Sequence, residues 1–142
     1  MASLITFSNF TPTVAIGPIP EEVVTRPETE IVRELSIPEY IDLESRKMGI
    51  DPNLATKIAF CESTHRQFKE GTDIPLRGIV NSRDVGVFQI NERFHLQKSQ
   101  DLGHDIYTLE GNVGYALWLL EKEGSKHWNA SRPCWGKVIE NA

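Results

Sequence analysis

The chain has 142 residues, a net charge of -5 and a pI near 5.4, with 39% hydrophobic and 25% charged side chains. That length builds one domain with a real core and falls short of two, and the composition is ordinary for a globular protein. The acidic balance argues against nucleic acid, whose phosphates call for basic patches, and no apolar run of about 18 residues offers a membrane span.

Residues 1–35 read as an extended Pro/Thr-rich arm or linker. Pro12, Pro18, Pro20 and Pro27 fall there, no periodicity is sustained, and Phe7, Phe10 and Ile16 are candidates for docking on the domain. The opening MASLITFSNF lacks the positive region and clean apolar stretch of a signal peptide. The domain itself is assigned to residues 36–142.

Ser36 is placed to cap a first helix, with Pro38 in its first turn, Gly49 as its stop, and Ile37, Tyr40, Ile41 and Met48 on its apolar side. Asp51 and Pro52 read as N-cap and first residue of a second helix running to about His65. Over residues 71–91, glycines, Pro75 and NSRD alternate with β-prone runs such as VGVFQI, which predicts a small hairpin between helices. A short helix is expected from Asn91 or Glu92. The longest covers about 108–122, with Leu109, Val113, Ala116, Leu117 and Leu120 on one stripe and Gly124 as its end. The tail HWNASRPCW reads as irregular. The predicted class is therefore α+β, mostly α-helical, with a small β-hairpin element.

Cys61 and Cys134 match no zinc spacing, and composition leaves open two free thiols or one long-range disulfide. No cysteine-protease signature surrounds Cys61. His65, His95, His104 and His127 lack ligand spacing, so neither metal nor cofactor is expected.

The sequence IAFCESTH poses the chemical question. Leu54, Ile58 and Glu62 are spaced four apart and share one helix face. Burial there, together with the negative end of the helix, raises a carboxyl pKa. A carboxyl group still protonated near neutral pH suits general-acid catalysis. The competing reading has Glu62 in solvent, paired with Arg66 at i+4.

CES, then DVGVFQIN, then EGNVGYALWLL resemble, in that order, the lysozyme-like superfamily of peptidoglycan-cleaving enzymes over roughly residues 38–135. The match is similar both to soluble lytic transglycosylases, with Glu-Ser and then Gly-Leu-Met-Gln, and to animal-type lysozymes, whose cleft strand reads Asp-Tyr-Gly-Ile-Leu-Gln-Ile-Asn. The resemblance implies a lysozyme-like fold with the hairpin beside the cleft. It also implies Glu62 as catalytic acid, with Ser63, Gly86, Gln89, Ile90 and Asn91 at the glycan. Asn112 would either contact sugar or stitch helix to loop. Asp84 matches the animal-type aspartate and would supply a second carboxylate, though NSRD is also good turn chemistry. Asp73 and Glu92 are weaker candidates. The Ala-Tyr-Asn motif of transglycosylases is missing; KHWNASRPCW stands there, with Trp128 and Asn129 offering an aromatic wall and an amide.

By this resemblance the chain is expected to be a monomeric glycosidase acting on the β-1,4 bond between N-acetylmuramic acid and N-acetylglucosamine. Lytic transglycosylase is slightly favoured over lysozyme hydrolase (muramidase), because one acid is strongly placed and the second only provisionally. The partner would be peptidoglycan glycan strands, and the setting extracytoplasmic: secreted, periplasmic, cell-envelope or phage-associated. In such a compartment Cys61 and Cys134 would form a disulfide. The alternatives are a non-catalytic domain that binds glycan or protein, and an intracellular helical adaptor with free thiols.

Overall fold

The computed structural model describes residues 12–17 and 34–137. The chain divides into two units, Met1–Arg33 and Glu34–Ala142. In the first, residues 12–17 have no regular structure and Ile16 is exposed; Phe7, Phe10 and most of the expected arm lie outside the described residues.

The second unit is mostly helical with one two-stranded sheet, an α+β arrangement. Helix α1 spans Ile37–Lys47, and the Ser36 N–H and hydroxyl both donate to the Glu39 carboxylate, 2.9 and 2.6 Å away, closing its first turn. Its stripe buries Ile41 completely, while Met48 lies just past the helix and is 37% exposed. Helix α2, Pro52–Ser63, starts where the Asp51 carboxylate accepts the Asn53 N–H at 2.9 Å. It ends short of His65 because Thr64 and His65 both turn left-handed, at φ 55° and 58°. Glu62 is thereby fixed in its last turn.

Strands β1, Asp84–Val85, and β2, Ile90–Asn91, pair antiparallel in the register Asp84 to Asn91 and Val85 to Ile90. Helix α3, Glu92–Asp101, is capped by Asn91, and α4, Leu109–Glu123, by Thr108. Gly124, at φ 69°, stops α4. The tail is more regular than expected: a 3-10 helix over Gly124–Ser131 leads into the short helix α5, Arg132–Trp135. Its order follows from burial of Trp128 and Trp135, whose indole N–H groups donate to the carbonyls of Phe88 and Trp128, both at 2.9 Å. Among the described residues no helix is long and apolar enough to cross a membrane.

The core lies among α1, α2 and α4, with Ile41, Ile58, Leu117 and Trp128 closing on Phe88 of the hairpin. Residues 85–88 are wholly buried, yet the sheet is too short to satisfy their backbone. Side chains do so instead. Asn112 accepts the Phe88 N–H at 3.0 Å and donates to the Val85 and Ile106 carbonyls, both at 2.9 Å. Gln67 accepts the Val87 N–H at 2.8 Å, the Ser63 hydroxyl donates to the Val87 carbonyl at 2.8 Å, and Trp128 takes the Phe88 carbonyl.

Gly86, at φ 73°, has no space for a side chain. A Cβ there would stand 2.5 Å from both Asn112 Nδ2 and Gln67 Oε1. Asn112→Ala is expected to cost about 3 kcal/mol, since the buried Phe88 N–H and Val85 carbonyl lose the amide and the Ile106 carbonyl keeps only Gln67 Nε2 at 3.4 Å. The urea midpoint of unfolding measures it, and an unchanged midpoint would contradict the clamp.

Candidate active site

Helix α2 carries Glu62 and the hairpin carries Asp84, and two adjoining cavities of about 310 and 610 Å³ meet at these carboxylates. Glu62, Asp84, Gln89 and Ala130 belong to the walls of both, which makes one cleft with two wings. A separate cavity of about 440 Å³ lies beside Phe60, Trp135 and the disulfide, with His65 and no carboxylate in its wall.

Glu62 is half-buried and does not pair with Arg66, whose Nε instead donates to the Ser63 carbonyl at 2.9 Å. Burial pushes the Glu62 carboxyl above its ordinary value of 4.5, and the negative charge of Asp84 adds to the effect. One contact opposes them: the Ser131 hydroxyl donates to Glu62 Oε1 at 2.5 Å and favours the ionised form. The same hydroxyl lies 3.1 Å from the Trp128 carbonyl.

Ser131→Ala is therefore expected to raise the Glu62 pKa further, a shift that carbon-13 NMR of the side-chain carboxyl reads directly. A midpoint that stays or falls would refute this role for Ser131.

Asp84 is held from two sides, accepting from Asn91 Nδ2 at 2.7 Å and Asn81 Nδ2 at 3.3 Å on one oxygen, Oδ1. Asn91 is thus bound twice, because its own oxygen caps α3 by accepting the Arg93 N–H at 3.1 Å. Gln89 stands in both wings, at φ 51°, with Nε2 donating to the Gly86 carbonyl at 2.8 Å. Ile90, Asn91 and Trp128 line the smaller wing.

Ser63, Gly86 and Asn112 line neither cavity. Their polar atoms and close approaches are spent on the protein's own backbone and amides. Of the two roles open to Asn112, the internal stitch is the one observed. Asp73 also lies outside both walls, and Glu92 is engaged by Arg77 at 2.8 Å and by the Tyr107 hydroxyl at 2.8 Å.

Several cleft residues carry no signal in local sequence. His95 and His127 line the smaller wing and meet edge to face, their ring centroids 5.0 Å apart. Burial, followed by the neighbouring His127, lowers the His95 pKa, and its Nδ1 lies 3.0 Å from the Tyr115 hydroxyl. Phe94, 73% exposed, stands in the same wall. Ser131 has one traceable clue. Cys61 and Cys134 form a disulfide, with Cα atoms 6.0 Å apart, so a residue three before Cys134 is drawn towards the neighbour of Cys61.

Among the described residues no group of His, Cys, Asp and Glu has the arrangement of a metal site. Comparison of the chain with family models, with curated proteins and with solved structures gave no match.

Proposed function

We propose that residues 36–142 form a lysozyme-like domain that cleaves the β-1,4 bond between N-acetylmuramic acid and N-acetylglucosamine in peptidoglycan. The observation that carries this reading is Glu62: a half-buried carboxyl with a raised pKa, set where the two wings of a cleft meet. Such a group holds its proton to higher pH and can deliver it to a glycosidic oxygen as that bond breaks. Phe94, 73% exposed, supplies aromatic surface suited to the apolar faces of sugar rings, with Trp128 buried behind the wall. Gln89 and Asn91 supply amides suited to hydroxyl and N-acetyl groups.

In the transglycosylase form, Glu62 protonates the leaving oxygen. The resulting carboxylate then removes the proton of the sugar's C6 hydroxyl, which closes on C1 to give a 1,6-anhydro end. Asp84 favours a second reading, since it shares both wings with Glu62 and raises its pKa. In that reading the domain is a hydrolase, with Asp84 as nucleophile or as base for water.

Digestion of purified peptidoglycan with mass spectrometry of the products tests both forms. Anhydro-muramyl ends mark the transglycosylase and reducing ends the hydrolase. No released fragments would leave a non-catalytic glycan-binding domain.

A further inference from the structure

His95 and His127 share the smaller wing with Glu62, Asp84, Gln89 and Asn91. The chemistry proposed for the carboxylates uses neither ring, yet both rings are held.

Tyr115 is buried, and its hydroxyl meets His95 Nδ1 at 3.0 Å, with no second partner among the described residues. A buried phenol must place its proton on an acceptor. The Tyr115 O–H therefore donates to Nδ1. The reverse bond, from Nδ1–H to the phenol oxygen, would leave a buried O–H with nothing to receive it. An Nδ1 that accepts puts the imidazole proton on Nε2. His95 is thus neutral and held as one tautomer, and burial beside His127 favours the same uncharged form.

Nε2–H is the donor left over. No hydrogen bond among the described residues uses it, and none of their buried side-chain nitrogens or oxygens lacks a partner. Nε2 therefore reaches the surface, on the side of the ring away from Tyr115, and His95 opens onto the smaller wing. A ring flip would put a carbon where Nδ1 meets the phenol. His127 also steadies the ring, standing edge to face against it with centroids 5.0 Å apart. His127 is itself fixed, through Nε2 donating to Glu123 at 2.7 Å, a carboxylate that takes Lys126 as well.

The other donors of this wall are partly spent. Gln89 has committed one N–H to the Gly86 carbonyl at 2.8 Å, and Asn91 one to Asp84 at 2.7 Å. We propose that His95 is a glycan-binding residue whose Nε2–H donates to an acceptor oxygen of the sugar in the smaller wing. Tyr115 is then the positioning residue that keeps the proton on that nitrogen. The inference rests on the glycosidase reading and deepens it, adding a binding contact that is distinct from the acid.

Two replacements separate the donor from its support. Asparagine reaches only as far as Nδ1 and keeps a partner for Tyr115, whereas glutamine places an amide N–H where Nε2–H stands. His95→Asn is expected to raise KM for soluble peptidoglycan fragments about tenfold at unchanged kcat, the loss of one hydrogen bond made equally in ground and transition states. His95→Gln should recover most of that loss. Nitrogen-15 NMR at neutral pH should find the wild-type His95 ring protonated on Nε2, and Tyr115→Phe should spread the proton over both nitrogens while raising KM. A His95→Asn variant with wild-type KM, a His95→Gln variant no better than His95→Asn, or a wild-type ring protonated on Nδ1 would each overturn this role while glycan cleavage stands. A wild type that cleaves no glycan would overturn the glycosidase reading and this inference with it.

Discussion

Glu62→Gln is expected to slow release of peptidoglycan fragments about a thousandfold, the loss typical of removing a well-placed general acid. The amide is close in shape, so the cleft should survive and the loss should fall on kcat. Binding of the glycan, followed by sedimentation with insoluble peptidoglycan, should persist. A variant that cleaves as fast as wild type would end the catalytic claim for Glu62.

The same substitution has a stability signature with a definite sign. Burial raises the Glu62 pKa in the folded state above its ordinary value of 4.5, so folding favours the protonated form. The contribution of this group is fully present below the unfolded value and is lost as pH rises through the folded one. Glutamine never ionises. The variant should therefore melt above wild type at pH values beyond the folded pKa, and the gap should close as pH falls towards 4.5 and below. A gap that widens on acidification would mean that the carboxylate, not the acid, is what the fold prefers.

The second large effect concerns the disulfide. Cys61 and Cys134 are separated by 73 positions. Closing a loop of that length is worth about 4 kcal/mol in the chain-entropy model. Replacing both cysteines by serine should therefore lower the melting temperature by about 20 °C in a domain of this size. Denaturation of oxidised and reduced wild type measures the same quantity without mutation, and coincident curves would refute it.

The effect should also reach the acid. Cys61 adjoins Glu62, and Cys134 follows Ser131 by one short turn of α5. Loosening that turn weakens the Ser131 hydrogen bond, so reduction should move the Glu62 titration upward, in the same direction as Ser131→Ala. The bond thus serves as more than a fastener for the tail: it holds the hydroxyl that opposes the effect of burial on the carboxyl.

Elements set by neighbours in the chain are legible in the sequence. Ser36, Asp51 and Thr108 begin helices because each offers a side-chain oxygen at a helix start, and Gly124 ends one because it accepts a positive φ. The place of the hairpin is legible, but its turn is not: residues 86–89, inside the run VGVFQI read as β-prone, form the turn between β1 and β2, and NSRD leads into β1 instead. The buried-side placement of Glu62 is legible as well, since Leu54 and Ile58 fix the face of α2 four residues at a time.

The tail reads as irregular in sequence because its helical order comes from burying Trp128 and Trp135, not from local periodicity. Ser63 and Asn112 stand at sequence-predicted site positions, yet their side chains serve the buried strand segment. That need arises only when a two-residue ladder leaves enclosed backbone groups unpaired.

Helix starts and stops, the place of the hairpin and the face on which Glu62 lies are thus written locally, because caps, turns and periodicity act over a few residues. Three features are settled by the packed molecule alone: the cysteines pair, Ser131 meets Glu62 from 69 positions away, and Arg66 and Arg77 gather in one wing of the cleft. Each of these depends on where α2, the hairpin and the tail come to rest against a shared core. No local pattern carries that information, since the free energy that sets it is the burial of all three together.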